Sequence, residues 1–181
     1  MRWSIWDRHS GRWFWRTCLI YVRRCGIEGP ALLVEAGPSV VGDSMWDTTT
    51  EFGSRVERRL RDEHVIWLTT VRDDSAPQPS PVWFLWDGQT FLIFSQPNKP
   101  KLRNIAANPN VALNLESNGG GDVVIFSGEA AIVGDAPQEH EIAAYVAKYR
   151  EDIARLGQTP ESFAKEYSVA VRVRPTRLRG F

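Results

Sequence analysis

The chain is poor in the side chains that carry most recognisable site chemistry. Its two cysteines, Cys18 and Cys25, fall in the first segment and none follows. That distribution fits a reduced, cytoplasmic setting and argues against a disulfide scaffold. Three histidines, His9, His64 and His140, lie far apart, without the spacing of a metal site. No GxGxxG, Walker loop, GxSxG or HExxH occurs, which removes the common nucleotide, serine-hydrolase and zinc-protease signatures. Neither sign of charge dominates, with 22 basic and 22 acidic residues. That balance argues against non-specific nucleic-acid or membrane-surface binding as the main role. No apolar run approaches the roughly 18 residues that suggest a membrane span. Asp73–Asp74 reads as a turn, and Glu139 and Glu141, two apart on a helix, do not share a face. With no nucleophile, acid–base pair or metal cluster in view, a cofactor has to carry any enzymatic chemistry.

Composition is uneven along the chain. Half of the eight tryptophans (Trp3, Trp6, Trp13 and Trp15) fall within the first fifteen residues. Six arginines are interspersed through residues 1–44, yet no helical or strand period is sustained there. The apolar run Cys18–Val22 is too short for a signal peptide and meets Arg23 and Arg24 at once. Residues 1–44 are therefore expected to be a non-native or disordered extension, with Met45 as the native start and 45–181 as the folded domain. An aromatic arm that packs on a partner is the competing expectation.

From Thr50 the pattern is regular. Phe52, Val56 and Leu60 recur every fourth residue, which predicts an amphipathic helix over 51–63 with Arg55, Glu57, Arg58, Arg59, Arg61 and Asp62 on its other faces. His64–Val71 is rich in β-branched and aromatic residues and predicts a strand. Pro77–Trp86 predicts a second, with Pro77, Pro79 and Pro81 confining it to a sheet edge. Asp87–Gly88 predicts a hairpin into a strand ending at Ser95. Val123–Val133 predicts a strand with Gly128 at a bulge. Asp135 and Pro137 open a long helix with Ile142, Tyr145, Val146, Tyr149 and Ile153 on one face, closed by Gly157. A short helix over 160–165 and a strand over 167–174 follow. About six strands and two to three helices imply an α+β domain built on a mainly antiparallel β-barrel with helical lids.

The segment most suggestive of function is Phe91–Leu115, FLIFSQPNKPKLRNIAANPNVALNL. It reads as strand, turn, short basic helix and strand. Asn98 is positioned to cap the helix, Pro100 suits its first turn, and Asn108–Pro109 ends it. Lys99, Lys101 and Arg103 crowd the helix start, where the backbone already presents free N–H groups and the positive end of the dipole. A solvated basic turn accounts for this pattern, and so does a site for an anion such as phosphate.

The order of parts resembles a known family. A helix, a strand with a charged turn, PxPxPVWF, a DG hairpin, FLIFS and then KxKxRNIxxNPxVAL is similar to the pyridoxamine 5′-phosphate oxidase-like flavoproteins, which fold as an FMN-binding split β-barrel. Within them it is most similar to the branch that uses the deazaflavin coenzyme F-420. The likeness covers 50–181, through the final VRVRPTRLRGF; residues 1–44 have no counterpart.

The resemblance implies a homodimer with the cofactor in a groove at its interface. Lys99 and Lys101 would bind the phosphate, with Ser95 and Gln96 beside it. Ser80, Pro81, Val82 and Trp83 would run along the ring, Trp83 or Val82 packing near its face, with Gln78 adjacent; plain core packing fits Trp83 equally. The vitamin B6 oxidases carry a basic RxxxLK pattern where this chain has PSPVWF. That difference points away from vitamin B6 oxidation and toward F-420, with FMN as the alternative. The implied activity is an oxidoreductase passing hydride from reduced F-420 to a small organic acceptor. An FMN enzyme of the same fold and a non-catalytic cofactor-binding protein are the alternatives. Arg174, Arg177 and Arg179 either reach the acidic tail of F-420 or face solvent.

Overall fold

The structure, a computed structural model, describes residues 3–7, 12–16, 45–133 and 137–181. The chain divides into two units, Met1–Val40 and Val41–Phe181. In the first, β1 (Trp3–Asp7) and β2 (Arg12–Arg16) pair antiparallel, with Ile5 opposite Phe14. The expectation of an extension over 1–44 otherwise lies outside the described residues, as does the cap expected at Asp135.

The second unit opens with α1 (Glu51–Asp62), whose N-cap Thr50 accepts a hydrogen bond from the Gly53 amide at 3.0 Å. Its predicted stripe is in place, with Val56 and Leu60 fully buried. Arg59, expected on the polar side, is buried instead. Its guanidinium pairs with Asp122 at 3.1 Å and with Glu63, and donates to the Glu116 carbonyl. One side chain thus fastens α1 to the glycine-rich 116–122 loop. The reading by hydropathy alone missed it because a long cationic side chain can be buried where carboxylates and carbonyls surround its head.

The sheet comprises β3 (Val65–Val71), β4 (Pro77–Trp83), β5 (Leu85–Trp86), β6 (Phe91–Ser95), β7 (Asn110–Asn114), β8 (Val124–Ile132) and β9 (Val169–Gly180). It also carries α2 (Pro100–Ala107), α3 (Glu139–Arg155) and α4 (Pro160–Glu166). The strands lie in the order β4-β3-β7-β8-β9-β6-β5, and every neighbouring pair is antiparallel. The mainly antiparallel α+β barrel expected from the pattern is therefore present, as a curled sheet of seven strands with four α-helices rather than six strands with two or three. Ile66, Leu68, Phe91, Phe126, Val171 and Val173 fill its concave side.

The extra strand arises at Phe84. There the predicted run 77–86 breaks, because the Phe84 N–H and C=O both bond the Tyr149 hydroxyl, at 2.8 and 2.7 Å, instead of a neighbouring strand. As predicted, the proline-bearing β4 is an edge strand, and the β8–β9 register slips between Ser127 and Gly128. A Cβ on Gly128 would sit 2.7 Å from the Arg174 carbonyl, so only glycine lets the strands approach there. Gly157 follows α3 at φ +72°, a backbone region that favours glycine. Among the described residues no helix is long and apolar enough to cross a membrane.

On α3, Lys148 packs its ammonium 4.0 Å from the centre of the Phe84 ring and donates to the Leu60 carbonyl at 3.1 Å. Burial lowers its pKa to about 8, against the opposing pull of Asp62 and Glu63 on α1. The unfolded chain keeps this proton up to its ordinary pKa, whereas the native protein releases it from about 8. The unfolded state therefore binds more protons across that window, and stability rises with pH. After discounting for solvent screening we expect a gain of about 1–2 kcal/mol between pH 7.5 and 9.5. Urea unfolding over this range checks it: in Lys148→Met the rise should vanish, and an unchanged rise would assign the effect elsewhere. Above pH 10 the raised pKa values of Tyr145 and Tyr149 act in the opposite direction.

Candidate functional site

The basic helix is built much as the sequence suggested, with one correction. Asn98 does not cap α2: its φ is +63°, and Lys99, in an extended conformation, occupies the cap position without a side-chain bond. Asn98 instead turns the chain out of β6. An N-cap needs β-region backbone to aim its side chain at the first turn, which a left-handed residue cannot supply. The first turn holds no acidic residue, and among the described residues Lys99 and Lys101 form no ion pair. Burial, and after it the neighbouring Lys99, lowers the Lys101 pKa. Two ammonium groups at the positive end of a helix dipole form an electrostatic demand for an anion.

These lysines sit at one side of a cleft of about 440 Å³. Seven of the nine residues singled out from the sequence line it: Pro81, Val82, Trp83, Ser95, Gln96, Lys99 and Lys101. The end of β4, the end of β6 and the start of α2 bring them together. Ser80 and Gln78 lie further along β4, outside the lining. Gln78 is turned to α2, where its Oε1 accepts from the Asn104 amide at 2.9 Å. The same amide donates to Thr70 Oγ1 at 2.9 Å, so this buried link ties α2 to the sheet. Ser95 is buried and donates to the Gln96 carbonyl at 3.0 Å. Gln96 donates through its side chain to Glu166, at the end of α4.

The opposite wall comes from residues that the sequence reading had placed only as helix faces or strand positions. Val65, Phe94, Tyr145, Leu156, Phe163 and Tyr167 complete the lining. Trp83 stacks on Tyr149 with ring centres 4.7 Å apart and planes 2° from parallel, and on Phe163 at 5.5 Å and 18°. Phe163 stacks in turn on Tyr167 at 4.4 Å. Trp83 is thus partly buried against aromatic neighbours that hold its plane, and it also lines the cleft. The i, i+4 spacing of Tyr145 with Tyr149 and of Phe163 with Tyr167 was the available signal. It marked two aromatic faces without showing that they meet. A void with cations at one side and flat, rigid rings at the other suits a planar molecule that carries an anionic group. Among the described residues no group of His, Cys, Asp and Glu could hold a metal ion, and no His, Cys or Met lines the cleft.

The sequence profile of the pyridoxamine 5′-phosphate oxidase family matches residues 52–181. The chain belongs to that family. No curated protein matches it. Among solved structures it is similar to an F-420 reductase, at 28% identity and a TM-score of 0.50, over 68% of this chain and 94% of that one. It is also similar to an FAD-binding protein from Mesorhizobium loti, at 17% identity and a TM-score of 0.55, over 70% and 90% of the two chains. A heme storage protein from Vibrio cholerae shares 14% identity and a TM-score of 0.52, over 72% and 95%. The last two show the common fold alone. The cleft lies where the ends of β4 and β6 meet α2.

Proposed function

We propose that this chain is an oxidoreductase that holds reduced coenzyme F-420 in the cleft and serves a small organic acceptor. The observation that carries the reading is the pairing of the unneutralised Lys99 and Lys101 with the aromatic wall around Trp83. The two ammonium groups would hold the cofactor phosphate, and Gln96 and Ser95 would flank it. Pro81, Val82 and Trp83 would lie along the ring and exclude water from it. When bound, the deazaflavin supplies hydride; the protein positions it and shapes its surroundings. The F-420 reductase, the most sequence-similar of the three structures above, supports this cofactor. FMN is the second reading, because two cations also suit a flavin phosphate and an FAD-binding protein shares the fold. Heme fits less well, since the cleft offers no His, Cys or Met and only Tyr145 and Tyr167 as candidate axial ligands.

The same reading includes a homodimer. Val65 and Trp67 are large apolar residues left 41% and 36% exposed on the outer side of β3. Pro81 of β4 is opposite Trp67, and Val65 and Pro81 also line the cleft. A second copy docked on this face would cover the apolar patch and narrow the mouth of the cleft.

Parallel titrations of the full chain with F-420 and with FMN test the cofactor. The expected result is micromolar or tighter binding of F-420 with weaker binding of FMN. Preference for FMN would move the chain to the second reading, and binding of neither would remove the cofactor function.

A further inference from the structure

A second cavity, of about 520 Å³, lies between α1, α3 and β5 and shares no lining residue with the cleft. Leu60, Leu85 and Trp86 give it apolar walls, and Glu57 and Arg61 stand on its α1 side. The chain has four lysines, Lys99, Lys101, Lys148 and Lys165, of which Lys148 lines this cavity. Lys148 is half-buried, and among the described residues it forms no ion pair. Its ammonium lies 4.0 Å from the centre of the Phe84 ring and donates to the Leu60 carbonyl, one of those left open at the end of α1. That bond uses one of its three N–H groups.

The surrounding charges decide which ligands the amine can take. Glu57 lines the cavity, and Asp62 and Glu63, at the end of α1, attract the ammonium. Arg61 is the one further cation of the lining, and it pairs with Asp62 at 3.0 Å. Carboxylates so placed oppose an incoming anion and favour a neutral ligand that leaves a cation behind. Burial brings the Lys148 pKa down to about 8 against their pull. About a quarter of the amine is then neutral at pH 7.5, against about one part in a thousand for a lysine at its ordinary value. A lysine desolvated in an apolar pocket is a nucleophile for carbonyl carbons.

We propose that Lys148 captures small apolar aldehydes as an imine, with the carbon body of the aldehyde seated on Leu85 and Trp86. The nitrogen lone pair adds to the carbonyl carbon, the oxygen leaves as water, and a C=N bond replaces the C=O bond. No oxidant or reductant is consumed. When protonated, the product is still a cation beside the Phe84 ring, and its remaining N–H keeps the Leu60 carbonyl. The carboxylates that repel an anion stabilise this iminium. The site stands independently of the cofactor reading.

The test is reductive trapping on the full chain, with benzaldehyde and sodium cyanoborohydride at pH 7.5, read by peptide mass spectrometry. Cyanoborohydride delivers hydride to the iminium carbon and fixes the adduct as a benzylamine. Lys148 should be labelled about tenfold faster than Lys165, which is exposed on α4 and lines neither cavity. The larger neutral fraction sets this advantage, and the lower basicity of the amine takes part of it back. Arg61→Trp, which fills the cavity from an exposed helix position, should slow Lys148 by about tenfold and leave Lys165 unaltered. Lys148→Arg keeps the cation and should lose the adduct while F-420 binds as before. Labelling of Lys148 no faster than Lys165 would overturn the proposal, and so would an unaltered rate in Arg61→Trp. If F-420 fails to bind while Lys148 is still labelled fastest, this site stands and the cofactor reading falls.

Discussion

Lys101→Ala is expected to weaken F-420 binding by about 1.5–3 kcal/mol, the range for a charge-assisted hydrogen bond. That is roughly a 10- to 150-fold rise in Kd. Lys101 should matter more than Lys99 because it is half-buried, whereas Lys99 is exposed. Burial holds the Lys101 ammonium away from water, and Lys99 repels it. An arriving phosphate relieves both effects at once, so the contact gains more than one at the open surface. The same argument sets the control. Lys165, exposed on α4 and outside the lining, should tolerate alanine with no change in affinity. It also predicts that Lys101→Ala leaves the ligand-free protein as stable as before or slightly more so, since it removes a charge with no partner. Titrations of both variants check this, and equal affinities for Lys101→Ala and the unaltered chain would strip α2 of its phosphate role.

Tyr149→Phe should cost about 2–4 kcal/mol of stability, although it removes one oxygen atom and leaves the ring in place. The Tyr149 hydroxyl accepts from the Phe84 amide at 2.8 Å and donates toward the carbonyls of Phe84 at 2.7 Å and His64 at 2.9 Å. Phe84 is fully buried, so its backbone groups have no water to turn to. Phenylalanine would strand a donor and an acceptor between β4 and β5. Stranding buried groups is costlier than the net worth of the bonds, which is why the estimate exceeds that of a typical tyrosine hydroxyl. Denaturant unfolding measures the loss, and a change below about 0.5 kcal/mol would show that the strand break relaxes without it. The cleft should respond as well. Trp83 precedes Phe84 and stacks on Tyr149, so a loosened break would release the indole plane.

The strands of the barrel were legible in the sequence because alternation survives wherever one face of a strand is buried. β3 shows it, with Ile66, Leu68 and Thr70 buried and Val65 and Trp67 exposed. The basic corner was legible because lysines at a helix start contradict the dipole and so ask for a reason. What could not be read was anything decided by contact between distant segments. Arg59 is buried only because the 116–122 loop folds over it, 57 and more residues away in the chain. The break at Phe84 depends on a hydroxyl 65 residues away. The aromatic wall of the cleft joins Trp83, at the end of β4, to Phe163, on α4. No local period encodes either meeting. Asn98 failed for a different reason: its residue type suits both a cap and a left-handed turn, and backbone geometry alone decides between them.

The prolines of β4 have a consequence for how this molecule behaves in a crowded solution. Pro77, Pro79 and Pro81 pair across from Val71, Thr69 and Trp67, so alternate residues of the edge strand lack an N–H. Successive residues of a strand point their backbone groups to opposite sides. The Thr70 hydroxyl donates to the Gln78 carbonyl, which places the groups of Gln78 on the β3 side and those of the three prolines on the free side. From Pro77 to Pro81 that rim offers carbonyls but no donors, and the first N–H on the free side is that of Trp83, at the end of the strand. Along the proline stretch an incoming strand would find half of its bonds missing, which disfavours sideways growth of the sheet. The opposite rim, β5, is two residues long. Both rims of the sheet are thereby poor templates for another strand.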